Sequence, residues 1–174
     1  MSAAIFVDTN ILVYAHQAGE PLKQPVASQW LERLWQDQRG RLSMQVLSEY
    51  YVTITRKIKP ARPAADAWDD VRDFFNWNPQ ATDAELLQRA HEVEQRHPLS
   101  WWDSLIVAAA QLQNCAILLS EDLQHGALYG DVTVRNPFVL AVSEATATYA
   151  VARTSVREHP RRGRPRRRED ATED

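Results

Sequence analysis

Apolar residues at positions 26, 30, 31, 34 and 35 recur at intervals of one, three and four, so that Val26, Trp30, Leu31, Leu34 and Trp35 mark an amphipathic helix. The same spacing at Leu47, Tyr50, Tyr51, Ile54 and Ile58 predicts a second helix, opened by Ser43 as its cap. A third is expected around residues 64–76. A fourth starts at TDAELLQ, with Leu86, Leu87, Ala90 and Val93 on one face. SWWDSLIVAAAQLQ is apolar nearly all round, the pattern of a buried helix. Between these periods lie β-type runs: AAIFV and CAILLS as strands, and DVTVRN as a weaker third. Strands separated by helices predict an α/β fold whose parallel sheet is covered on both faces. In such sheets, sites form beyond the carboxyl ends of the strands.

A chain of 174 residues is long enough for one domain with a full core, and 44% hydrophobic residues supply it. Cys115 is the single cysteine, which rules out an intramolecular disulfide and a Cys-rich zinc site and suits the cytoplasm. The start MSAAIFVDTN lacks the basic and apolar regions of a signal peptide. No run approaches the roughly 18 apolar residues of a membrane span. The net charge of −3 hides an asymmetry, because eight arginines lie between Arg153 and Arg168. Without residues 153–174 the body holds 12 basic against 18 acidic residues, a charge of −6. An acidic body needs some offset before it can hold a polyanion. The Arg-rich segment itself has no hydrophobic period and is expected to be disordered, either as a solvated extension or as a phosphate-gripping arm.

Two acids fall where the strand rule looks: Asp8 after AAIFV, and Asp122, with Glu121 beside it, after CAILLS. Each also fits a cap or turn at a strand-to-helix junction. Asp103 completes the capping-box pattern Ser100-Trp101-Trp102-Asp103, in which its carboxylate reaches back to the Ser100 amide. It also leads into an apolar face, and its helix has no Lys or Arg to pair with it. Glu49 points away from the apolar stripe of its helix, towards solvent or a cleft. If Asp8, Asp103 and Asp122 converge, like charges at ~4 Å repel by about 4 kcal/mol per pair at an effective dielectric of ~20. Protons or a divalent cation relieve that repulsion, and hard oxygen ligands suit Mg²⁺ or Mn²⁺. The chemistry then indicated is phosphodiester hydrolysis.

Other motifs point elsewhere and fail. His91 and His97 in HEVEQRH are six residues apart, whereas a zinc-binding HExxH pair needs four. There is no Gly-rich phosphate loop and no nucleophile-elbow pattern. His16 and His125 each follow an acidic motif, as substrate contacts or as structural residues. The six tryptophans are spaced for packing, although base stacking or a partner groove are alternatives.

In their order and spacing, FVDTNILVYA, SEYY, WWDSLIVAAA and ILLSEDLQHG resemble the PIN-domain family, in particular the VapC-type ribonuclease toxins of bacterial type II toxin–antitoxin pairs. The resemblance covers about residues 4–140 and implies a three-layer α/β/α fold at residues 1–142. It also implies a Mg²⁺- or Mn²⁺-dependent, cytoplasmic endoribonuclease that forms a homodimer and is covered by a cognate antitoxin. By motif, the metal-binding and catalytic acids fall on Asp8, Glu49, Asp103 and Asp122. Asn10 and Ser120 take the supporting positions, with Glu121 and Ser104 as further contributors. Residues 143–174 extend past the usual end of the family pattern. One alternative is a non-catalytic PIN-like module that binds RNA or protein. A phosphatase of the haloacid-dehalogenase type needs a second Asp two residues after the first, and Asn10 stands there instead.

Overall fold

A computed structural model describes residues 3–139. The predicted extension at 143–174, with its Arg-rich segment, lies outside the described residues. Among the described residues five strands form one sheet in the order β2-β1-β3-β5-β4. The expected strands are β1 (Ala4–Val7), β3 (Cys115–Leu119) and β5 (Val132–Arg135), all mutually parallel. Two further strands, β2 (Gly40–Arg41) and β4 (Leu128–Tyr129), are too short to show an alternating pattern. The first runs parallel to β1 on one edge; the second turns back antiparallel on β5 through Gly130, whose φ is +63°. Gly40 is fixed by packing, since the Trp77 ring would lie 2.5 Å from any Cβ there.

Among the described residues six α-helices pack around this sheet: α1 (Thr9–His16), α2 (Gln24–Asp37), α3 (Met44–Val52), α4 (Ala64–Phe74), α5 (Ala84–Arg96) and α6 (Trp101–Leu112). Helices α3 and α5 open on side-chain caps: the Ser43 hydroxyl accepts from the Val46 amide, and the Asp83 carboxylate from that of Leu86. As its composition predicts, α6 buries an unbroken run from Ser104 to Ala110, packing on β3, β5 and α5. Two expectations shift. Leu87 is exposed, because Leu86, Ala90 and Val93 already complete the inner stripe of α5. Ile58 lies beyond the helix, which widens into a single π turn over Thr53–Lys57 before the chain extends. Among the described residues no helix is long and apolar enough to cross a membrane.

The topology singles out one crevice. From β1 the chain leads towards β2 on one side, and from β3 towards β5 on the other, so the order reverses between β1 and β3. Val7 pairs with Leu119 across that boundary, and the Asp8 amide donates to the Leu119 carbonyl at 3.0 Å. Whatever follows Val7 and Leu119 therefore leaves the sheet side by side.

Candidate active site

Asp8 has both roles that its position suggested. It caps α1, its Oδ1 accepting from the Thr9 amide at 2.7 Å, and it also faces a cleft. Its Oδ2 accepts from the Ser120 hydroxyl at 2.7 Å and from Asn10 Nδ2 at 3.3 Å. Asn10 Nδ2 also donates to Asp122 Oδ2 at 3.0 Å, so one amide lies between two carboxylates. The Ser120 hydroxyl in turn accepts from the Asp122 amide at 3.2 Å. Asn10 and Ser120 thus tie the ends of β1 and β3 together through the acids they hold.

The other two acids arrive on helices. Glu49, on α3, faces the cleft rather than open solvent. Thr9 Oγ1 donates to its Oε2 at 3.0 Å and Gln45 Nε2 to its Oε1 at 2.9 Å, fixing both oxygens. Asp103 is half-buried and has its partner in a hydroxyl. Ser100 Oγ donates to Asp103 Oδ2 at 2.7 Å while accepting from the Asp103 amide at 3.1 Å. The expected reach of Asp103 back to the Ser100 amide is thus replaced by a bond to the hydroxyl.

Asp8, Glu49, Asp103 and Asp122 line one cleft of about 520 Å³, together with Thr9, Asn10, Tyr14, Gln45, Thr53, Lys57 and Trp102. Burial pushes the Asp8 carboxyl up to about 6; the Ser120 hydroxyl and the Thr9 amide pull it down, while Asp122 and Glu49 push it further up. Among the described residues no three His, Cys, Asp or Glu side chains gather tightly enough to enclose an ion by themselves. The four carboxylates that line the cleft offer only oxygen donors, the kind a small hard cation takes.

Two sequence candidates stand apart. Glu121 is turned to Lys23, which it meets in an ion pair, and the same ammonium lies 3.1 Å from the Tyr14 hydroxyl. Ser104 is fully buried in α6 and does not line the cleft. His16 bonds the Leu12 carbonyl and packs on Tyr50, and His125 accepts from the Asn136 amide, so both are held structurally. Sequence reasoning missed Gln45, Thr53 and Lys57 as cleft residues. Their four-residue spacing with Glu49 is the signal that marks them. A second cavity of about 420 Å³, lined by Arg89, Arg96 and His97, opens beside Cys115 at the amino end of β3, away from these acids.

Residues 5–130 match the sequence pattern of the PIN domain. No curated protein sequence matches the chain. Among solved structures, the crystal structure of VapC20 from Mycobacterium tuberculosis, described as a sarcin–ricin loop cleaving toxin, is similar. The two share 24% identity and a TM-score of 0.52, over 74% of this chain and 92% of that one. At that identity the likeness speaks for the fold alone. The match over most of the chain makes the family plain: this protein belongs to the PIN-domain family.

Proposed function

We propose that this chain is a metal-dependent endoribonuclease, the toxin of a type II toxin–antitoxin pair, with Asp8, Glu49, Asp103 and Asp122 as its catalytic, metal-binding acids. The observation that carries this reading is the convergence of four carboxylates from four parts of the chain on one switch-point cleft, with no ion pair to any of them among the described residues. Asp8, Asp103 and Asp122 would hold Mg²⁺ or Mn²⁺, directly or through water, and Glu49 would hold a second ion or orient the attacking water. The chemistry such an ion supplies is a water acidified enough to attack at neutral pH and charge to offset the phosphorane-like transition state.

The chain's own residues set the geometry. Asn10 keeps Asp8 and Asp122 at a fixed separation, and Ser120 locks the rotamer of Asp8; groups of this kind orient ligands. Thr9 and Gln45 occupy one lone pair on each Glu49 oxygen, leaving the carboxylate able to take a proton from an attacking water. The water oxygen would bond to phosphorus as the bond to the leaving ribose oxygen breaks, and that oxygen would take up a proton from solvent. In this reading the protein is cytoplasmic, dimerises, and is silenced by a cognate antitoxin. Light scattering at twice the 19.9 kDa chain mass checks the dimer.

The test is cleavage of total RNA by the antitoxin-free protein with Mg²⁺, Mn²⁺ or EDTA, beside Asp8→Asn made identically. Discrete fragments that need metal and vanish in the variant are expected. RNA left intact under every condition sinks the nuclease reading, and equal cleavage by the variant sinks the assignment of Asp8.

A further inference from the structure

The acids explain a reaction, but they do not explain how an acidic cleft holds RNA in register. Two lining residues are of the opposite character. Trp102 follows the cap of α6 and directly precedes Asp103, yet it is 63% exposed, the most exposed large hydrophobic side chain of the described residues. A ring left in water beside a site acid makes no contribution to the core and presents a free face where an unpaired base would pass. Lys57 is the only basic residue lining the cleft, and among the described residues it makes no ion pair.

The backbone shows how Lys57 gets there. Gln45, Glu49, Thr53 and Lys57 follow one another at intervals of four. In an unbroken α-helix each such step drifts by about 40°, so position 57 would sit about 120° round from position 45. The π turn over Thr53–Lys57 winds fewer degrees per residue and brings Lys57 back to the face of Glu49. A π turn is an uncommon feature with poorer packing, and here it returns a cation to the side of the acids.

We propose that Trp102 and Lys57 are the substrate-gripping pair of this cleft: Trp102 stacks an unpaired base beside the scissile phosphodiester, and Lys57 contacts a neighbouring phosphate. The class of substrate is therefore single-stranded RNA, including unpaired loops, because a base within a duplex offers no free face. The proposal rests on the ribonuclease reading of the site, but its first test does not need turnover.

The full chain is titrated in EDTA at fixed salt with a fluorescein-labelled 12-residue oligouridylate and with a 12-base-pair RNA duplex, following anisotropy and tryptophan emission. Wild type should bind the oligouridylate with quenched emission. Trp102→Ala should bind it about tenfold more weakly, Trp102→Phe should recover part of that loss, and the duplex should be affected little. Lys57→Ala should lower the log–log salt dependence of binding by about 0.7. In Mg²⁺ both Ala variants should raise KM while keeping kcat. No oligouridylate binding by wild type, an equal Trp102→Ala loss for the duplex, or unchanged binding in both Ala variants overturns the proposal. Trp102-dependent binding without any metal-dependent cleavage upholds the grip and removes the nuclease reading instead.

Discussion

Asp70 and Asp8 are both carboxylates partly or wholly withdrawn from water, and their surroundings are opposite in kind. Asp70, on α4, accepts from the Tyr50 hydroxyl at 2.7 Å and from Arg62 Nη2 at 3.0 Å, so it has a cation at hand. Among the described residues Asp8 has only neutral donors, Ser120, Thr9 and Asn10, and its charged neighbours are Asp122 and Glu49. The first arrangement ties α3, α4 and the loop that precedes α4 together. The second is electrostatically incomplete, and folding alone gives no reason to build it. Under the proposed function, this is the carboxylate at which a cation from outside would be held.

The sharpest way to break that contrast is to remove each carboxylate in turn. Asp8→Asn should lower RNA cleavage on the order of a thousandfold, since it takes a charged ligand from the acids. Asp70→Asn should leave the cleavage rate within about twofold and instead cost about 1–2 kcal/mol of stability, a figure kept small by the partial exposure of the pair. Comparable cleavage losses in both, at equal folded fractions, would erase the distinction.

Stability should move in opposite directions as well. The Asp8 carboxyl titrates at about 6 in the fold and at an ordinary 3.8 when unfolded, so between these values the unfolded chain gives up its proton first. Its contribution is full below pH 4 and is lost as the pH rises through 6. Asp8→Asn escapes that loss and should be more stable than wild type at pH 7–8 in EDTA, by up to about 3 kcal/mol. The gap should close below pH 4. Adding Mg²⁺ at ten times its Kd should return about 1.4 kcal/mol to wild type and nothing to the variant. Thermal unfolding at several pH values reads both effects. A variant less stable than wild type at pH 8 without metal contradicts the account of Asp8.

How much of this was legible beforehand follows from what a linear pattern can carry. Strands β1 and β3 were long enough to show as apolar runs, and each leads to an acid that lines the cleft, Asp8 directly and Asp122 after Ser120 and Glu121. Strands of two residues have no period, so the edges of the sheet were invisible. Glu49 could be placed off the apolar stripe, but whether that face met solvent or a cleft depends on where α1 lies, and Thr9 answers it from 40 residues away. The difference between Asp8 and Asp70 is likewise set by partners distant in sequence. The roles assigned to the four acids rest on the family resemblance, to which the geometry adds their common cleft.

Asn10 supplies a smaller effect of the same origin. Asn10→Ala removes the amide between Asp8 and Asp122 but no charge, so cleavage should fall by about 10–100-fold, with the loss in catalysis rather than in folding. An Asn10→Asp variant should be worse than Ala, because a further acid would face two existing ones. If Asp restores cleavage instead, position 10 is a ligand and not a spacer.

The smallest expected effect concerns Glu121, which is next to Asp122 in sequence and differs from it in company. Asp122 shares an amide with Asp8, whereas Glu121 is neutralised by Lys23, whose ammonium also lies 4.4 Å from the centre of the Tyr14 ring. By the criterion drawn from Asp70, a paired carboxylate is structural. Glu121→Gln should therefore keep cleavage within about a factor of three and cost no more than about 1 kcal/mol, since both side chains are about a quarter exposed. Lys23→Met should match it. A loss in Glu121→Gln as deep as in Asp122→Asn, with Lys23→Met left active, would mean that the ion pair opens when substrate or metal arrives. The presence of a bound cation would then no longer separate structural acids from working ones in this fold.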